Sequence, residues 1–131
     1  MKETHWKQEP EDHDFPAALD YLSLVFDKEV AETLVERLRL LANAGTVSSR
    51  KAKDLLRASQ LSLLERDNAH VASDLTKVAR GEKLSPVLVI GGDATKGLPL
   101  VIADGYHRVC ASYWIDENTD IPCVIGRLHD D

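Results

Sequence analysis

"SPVLVIGGDATKGLPLVIADGYHRVCASYWI", residues 85–115, is the stretch that decides the fold. An apolar run, Val87 to Ile90, meets Gly91-Gly92-Asp93, and a second run, Leu98 to Ala103, follows the turn-rich "GGDATKG" (91–97). Two such runs joined by a glycine-containing loop predict a β-hairpin. The period then changes. Tyr106, Val109, Cys110, Tyr113 and Trp114 fall at i, i+3, i+4, i+7 and i+8, which predicts a helix over 105–115 with these side chains on its apolar face. "IPCVIG" (121–126) reads as a third strand, with Pro122 placing it at a sheet edge or confining the proline to the strand start.

Upstream of Ser85 the pattern is helical. Asp14, followed by Phe15-Pro16, opens a helix carrying Leu19, Leu22, Val25 and Phe26 at helical spacing. Asp27 caps a second, whose stripe is Val30, Leu34, Leu38 and Leu41, widened by Ala31, Val35 and Ala42 and ended at Gly45. Ser48 or Ser49 caps a third, with Ala52, Leu55 and Leu56 inward. Residues 59–66 have no clear period. Asp67 caps a fourth, with Val71, Leu75 and Val78 inward, Lys77 and Arg80 near its end and Gly81 closing it. "MKETHWKQEPEDH" (1–13) has no period and reads as a flexible tail. The expected organisation is a single domain over 14–131, with a helical subregion over 14–58 and an α+β core over 59–131.

A chain of 131 residues suits one compact domain, and 44% hydrophobic with 29% charged residues is a globular balance. The net charge of −6 argues against a broad phosphate-backbone surface, and 5% aromatics leave no stacking platform for single strands. Cys110 and Cys123 form no CxxC pair, and no leader or long apolar stretch is read, so a cytoplasmic protein with reduced thiols and no membrane partner is expected. His5, His13, His70, His107 and His129 lack metal-ligand spacing, so no metal site is expected. "EDHD" (11–14) has the residue types of a weak metal site, but solvated tail is the plainer reading.

The chemistry concentrates in "ADGYHR" (103–108). His107 and Arg108 stand in the first helical turn, where the macrodipole is already positive and a further cation is disfavoured. Gly105 permits a sharp turn and close approach to the main chain. Free first-turn amides, an imidazole and a guanidinium together make an anion site, most naturally for phosphate. The bland alternative is that Asp104 caps the helix and pairs with Arg108, with no ligand.

The segments "SPVLVIGG", "GLPLVIADGYHRVCASYWI" and "IPCVI" resemble the ParB/sulfiredoxin-like superfamily, in which a strand leads into a G-x-[HR]-R turn. Gly105, His107, Arg108 and Ala111 match that arrangement, and the resemblance covers about residues 55–126. It implies a helical N-terminal half packed on a small ParB/sulfiredoxin-like mixed sheet. It also implies a nucleotide or other phosphate ligand held by Asp104, Gly105, His107 and Arg108, with Mg²⁺ accompanying a nucleoside triphosphate. Asp104-Gly105-Tyr106-His107-Arg108 is closest to the D-G-x-H-R form of a related serine kinase. Sulfiredoxins carry their catalytic cysteine where this chain has Tyr106, so sulfinic-acid reduction is not expected, and Cys110 reads as inert. A ParB-type second phosphate segment has no room after the third strand. Catalysis by a phosphotransferase or NTPase route requires a carboxylate, for which Glu65, Asp67 and Asp74 are candidates by position.

Further readings stand beside this one, among them a non-catalytic protein-interaction domain that keeps the fold without the ligand. Gly45 followed by a capped basic helix resembles a helix-turn-helix, in which Arg50, Lys51, Lys53 and Arg57 contact DNA; a solvated face is the plainer reading. The 91–97 loop is a hairpin tip that serves as a lid if it folds over the anion site. The wide stripe of the second helix fits core packing, or a homodimer through the N-terminal helices.

Overall fold

The computed structural model describes residues 3–129. In chain order the elements are β1 (His5–Trp6), α1 (Asp14–Val25), α2 (Lys28–Asn43), β2 (Ser48–Lys51), α3 (Ala52–Ser59), α4 (Ala69–Ala79), β3 (Lys83–Leu84), β4 (Val87–Ile90), β5 (Val101–Asp104), α5 (Tyr106–Ile115) and β6 (Asp120–Gly126). A short 3₁₀ turn, Ala94–Lys96, lies between β4 and β5. The class is α+β. A mixed four-stranded sheet runs β2-β6-β4-β5, with β4 and β6 parallel and the outer pairs antiparallel.

The sheet is covered on both faces, and the pleat sorts its residues between two cores. Leu88, Ile90, Ala103 and Val124 pack with Phe15, Ala18 and Leu22 of α1 and with Leu34 and Leu38 of α2. Val87, Val89, Ile102 and Cys123 turn the other way, onto α3, α4 and α5. With helices on both sides, every residue of β4 is buried, which is why "VLVI" is continuously apolar instead of alternating. Each such side chain contributes about 1.5–3 kcal/mol by leaving water.

The hairpin forms as expected, although its second strand begins at Val101, not Leu98. Leu88 pairs with Asp104 but Val89 pairs with Ile102, so β5 carries one extra residue at this point. Successive strand residues alternate faces, so an unbulged β5 would send Asp104 to the side of Ile102. The extra residue turns it to the side of Leu88, toward α1.

Several expectations are corrected. β6 is an interior strand; Pro122 precedes its first pairing with β4 at Cys123, so the proline is confined to the strand start. Residues 48–51 are not a helix cap but an antiparallel strand on β6, and the first amides of α3, Ala52 and Lys53, donate to Thr119 O and Glu117 O at 3.0 Å each. Backbone carbonyls thus replace the serine cap. The stretch 14–58, expected to be helical, is so except for β2, which joins the sheet. The tail expected over 1–13 is docked at β1, which pairs in parallel with β3, and Lys7 N–H donates to Leu84 O at 2.8 Å. Trp6 packs against the second core. Residues 1 and 2 lie outside the described residues, as do 130 and 131 at the far end of the expected domain. On the outer side of α1 and α2, Leu24, Val25, Val30 and Leu40 stay exposed, and these are the side chains that pairing through the N-terminal helices would cover. Among the described residues no helix is long and apolar enough to cross a membrane.

Candidate functional site

The strand-to-helix turn is built around Gly105, whose φ of +110° is open to glycine and strained for other residues. A Cβ there would sit 2.8 Å from Arg108 Nη2 and 2.9 Å from Val87 Cγ2. The guanidinium therefore folds back across the glycine. Arg108 Nη2 donates to Asp104 Oδ2 at 3.0 Å, and Nη1 lies 3.9 Å from Asp14 Oδ1. Asp14 belongs to α1 and is 2% exposed. Its other oxygen accepts from the Glu11 N–H at 3.0 Å, so within "EDHD" Asp14 is the inward-facing first residue of α1, whereas Asp12 and His13 stay exposed as expected of the tail.

This geometry settles how the misplaced cation is tolerated. The bulge brings Asp104, and α1 brings Asp14, so two carboxylates offset the charge of Arg108 at the positive end of α5. Burial pushes the Asp104 carboxyl above its ordinary value; Arg108 opposes this, and the adjacent Asp14 adds to it. The side chain of Arg108 is only 15% exposed and its Nε is buried without a hydrogen-bond partner. Expected at the open helix end, Arg108 is turned inward against its own carboxylates.

The turn nevertheless borders an open hollow of about 180 Å³, lined by His70, Ser73, Asp74 and Lys77 of α4 and by Asp104, Gly105, His107 and Arg108. The four α4 residues stand at i, i+3, i+4 and i+7, so one stripe of that helix faces the turn while Val71 and Val78 fill the core. Asn68, not Asp67, caps α4: its side-chain oxygen accepts from the N–H groups of His70 at 3.0 Å and Val71 at 3.2 Å. The rings of His70 and His107 are 4.7 Å apart between centroids, tilted by 44°. Lys77 Nζ lies 3.9 Å from Asp74 Oδ1. Burial raises the Asp74 carboxyl, against the pull of Lys77, Arg108 and both imidazoles. Burial lowers the His107 imidazole, helped by His70 and Arg108 and opposed by Asp74.

Of the expected binding residues, Asp104, Gly105, His107 and Arg108 all border this hollow. Of the three candidate carboxylates, Asp74 joins them, whereas Glu65 and Asp67 are exposed on the segment between α3 and α4. His70, Ser73 and Lys77 escaped sequence reading as a set. Their i, i+3, i+4, i+7 spacing was the available signal, and it is the same spacing as any solvated helix face. Tyr106 OH donates to Ser62 O, and Trp114 Nε1 donates to Leu64 O at 2.8 Å. These two bonds strap the irregular 60–68 segment to α5 and so hold α4 beside the turn.

The other candidate regions are elsewhere. Arg50 and Lys51 lie on β2 and Lys53 and Arg57 on α3, so the helix-turn-helix is not formed. Lys51 pairs with Asp120 at 3.5 Å and Lys53 with Asp54 at 3.0 Å, while Arg50 reaches the carbonyl of Ser49. The 91–97 loop lies at the opposite end of the hairpin from Gly105, beside Arg127, Leu128 and His129, and shares no residue with the site. Four strand residues separate the two ends, about 13 Å, so this loop is not a lid. Cys110 and Cys123 are buried free thiols; burial pushes Cys110 up and Cys123 up to about 12. Among the described residues no group of three or more His, Cys, Asp or Glu side chains is arranged to hold a metal ion. No family model, curated protein or solved structure matches the chain.

Proposed function

We propose that the hollow between α4 and the β5–α5 turn binds the phosphate of a small ligand. The observation that carries this reading is convergence: His70 and Lys77 from one helix and His107 from another border the same hollow of about 180 Å³. The amides of residues 106–108 precede the first intrahelical bond of α5, Val109 N–H to Gly105 O, and are available to an anion there. Arg108 serves as a positioning residue that holds Asp104 and the turn. The glycine turn and mixed sheet support kinship with the ParB/sulfiredoxin-like superfamily, and a nucleotide is one source of the phosphate. Mg²⁺ is usually held by one or two carboxylates together with substrate phosphates, and Asp74 is the carboxylate placed to contribute on this wall.

A melting-temperature screen with ATP, ADP, CTP, GTP and inorganic phosphate, with and without Mg²⁺, tests the reading. A ligand held only by the folded state at a hundred times its Kd adds about 2.7 kcal/mol. The expected result is a rise for at least one phosphate compound that is lost in Lys77→Ala and in His107→Ala. No rise with any compound, or a rise that persists when both side chains are removed, overturns it. The DNA reading receives no support from the geometry, because Lys51 and Lys53 already face carboxylates of the same chain.

A further inference from the structure

We propose that this pocket selects a terminal phosphate monoester and that the His70–His107 pair takes up a proton as the dianion enters. The inference rests on the phosphate-binding reading and adds to it a ligand class and a control. It begins with size. A hollow of about 180 Å³ is smaller than the roughly 300–1,000 Å³ that encloses a drug-sized molecule, so it has room for the phosphate end of a ligand and leaves most of a nucleotide-sized molecule outside. A diester has a substituent on each side of its phosphorus and cannot insert end-on.

Charge supplies the second argument. From α4 the pocket is faced by His70, Asp74 and Lys77, from β5 by Asp104, and from α5 by His107 and Arg108, with Asp14 of α1 behind Arg108 and the neutral Tyr106 ring 5.8 Å from that of His107. Lys77 is matched by Asp74, and Arg108 is outnumbered by Asp104 and Asp14. With both imidazoles neutral, these fixed charges attract no anion on balance. The imidazoles are therefore the groups that make the pocket cationic. They belong to different helices, and centroids 4.7 Å apart mean that a proton on one disfavours a proton on the other. A phosphate dianion beside both rings removes that penalty. Burial lowers the His107 imidazole below its ordinary value in the empty pocket, the direction that favours uptake on binding. A monoester, whose second ionisation falls near pH 6, is a dianion at slightly alkaline pH, so the proton then comes from solvent to an imidazole.

The test is calorimetric titration of the full chain with glycerol 1-phosphate, adenosine 5′-monophosphate and adenosine 3′,5′-cyclic monophosphate. It is run at slightly alkaline pH in two buffers of different ionisation enthalpy, with NMR observation of the histidine ring protons. Both monoesters are expected to bind, with a heat that differs between buffers in the sense of proton uptake and a shift of the His70 and His107 ring signals toward the protonated form. A rise of one unit in an imidazole pKa on binding makes the dianion bind about five- to sixfold tighter near pH 6 than near pH 8, and because about half the monoester is a monoanion at pH 6 the observed gain is about threefold. His70→Gln is expected to flatten that dependence as well as weaken binding. Monoester binding with buffer-independent heat overturns the proton linkage and leaves the phosphate site standing. Cyclic monophosphate binding as tightly as the monoesters overturns the ligand class. Absence of binding by either monoester even near pH 6 overturns both this inference and the reading beneath it. Binding by the mononucleotide alone, or by both monoesters, distinguishes a nucleotide from a general phosphate ligand.

Discussion

Replacing Gly105 with alanine tests the construction of the turn independently of any ligand. The backbone at φ +110° is one that L residues adopt at a cost of about 1–3 kcal/mol. The new methyl meets two groups. Val87, whose side chain is fully buried, lies at 2.9 Å and has little room to retreat, and crowding of this kind costs about 1–3 kcal/mol. Arg108 Nη2, at 2.8 Å, is the end of a flexible chain and moves instead, but it leaves the Asp104 oxygen it holds at 3.0 Å. A hydrogen bond to a charged group is worth about 1.5–3 kcal/mol. Relaxation shares these costs, so Gly105→Ala is expected to lose about 3–5 kcal/mol, a fall of about 10–20 °C in Tm for a domain of this size. Thermal and urea unfolding followed by far-ultraviolet circular dichroism measures it. Repeating the substitution in an Arg108→Ala background isolates the guanidinium: the alanine should then cost about 1–3 kcal/mol less, because only the strain and the Val87 contact remain. A fall below about 3 °C refutes the backbone argument. A full fall that is identical in both backgrounds refutes the placement of Arg108 over the glycine.

Two further predictions address the surroundings. Arg108→Met leaves Asp14 and Asp104 without their cation and should cost about 3–5 kcal/mol at neutral pH. The Asp104 carboxyl is raised in the fold, so its contribution to stability is complete below the unfolded value of 3.8 and is lost as pH rises through the higher folded value. The deficit of the variant should accordingly shrink as pH falls toward 4, and a deficit that grows on acidification contradicts the assignment. Trp6→Ala should cost about 1–3 kcal/mol, less than a fully buried tryptophan, because Trp6 is half-buried against the second core. The Lys7 amide should also resist hydrogen exchange through its bond to Leu84 O, whereas exchange at the rate of an unstructured peptide would return β1 to a loose tail.

What was legible in the residues follows from what each pattern depends on. The apolar stripes of α1, α2, α4 and α5 and the apolar run of β4 announce helices and hairpin locally, although Val25 and Val30, each expected on a stripe, stay exposed because no described residue covers the helix ends that carry them. β2 is not announced in this way, because Ser48–Lys51 has no apolar alternation; it is a strand only because β6 offers it an edge about seventy residues away in the chain. The same distinction runs through the site. Gly105 announces a turn, and His107 and Arg108 announce charge at a helix start, all within a few residues. The bulge in β5 leaves no mark on the sequence, since it is a relation between Leu88 and Asp104, and yet it decides which face Asp104 takes. Once that carboxylate stands beside Asp14, Arg108 has a structural partner on each side and its charge is no longer offered outward. The cations left for a ligand then have to come from His107 and from α4, whose His70 and Lys77 look like any solvated helix positions until α5 packs beside them. The residue that drew attention to the turn is thus the one that holds it in shape, and recognition passes to side chains that only the packing of two helices brings together.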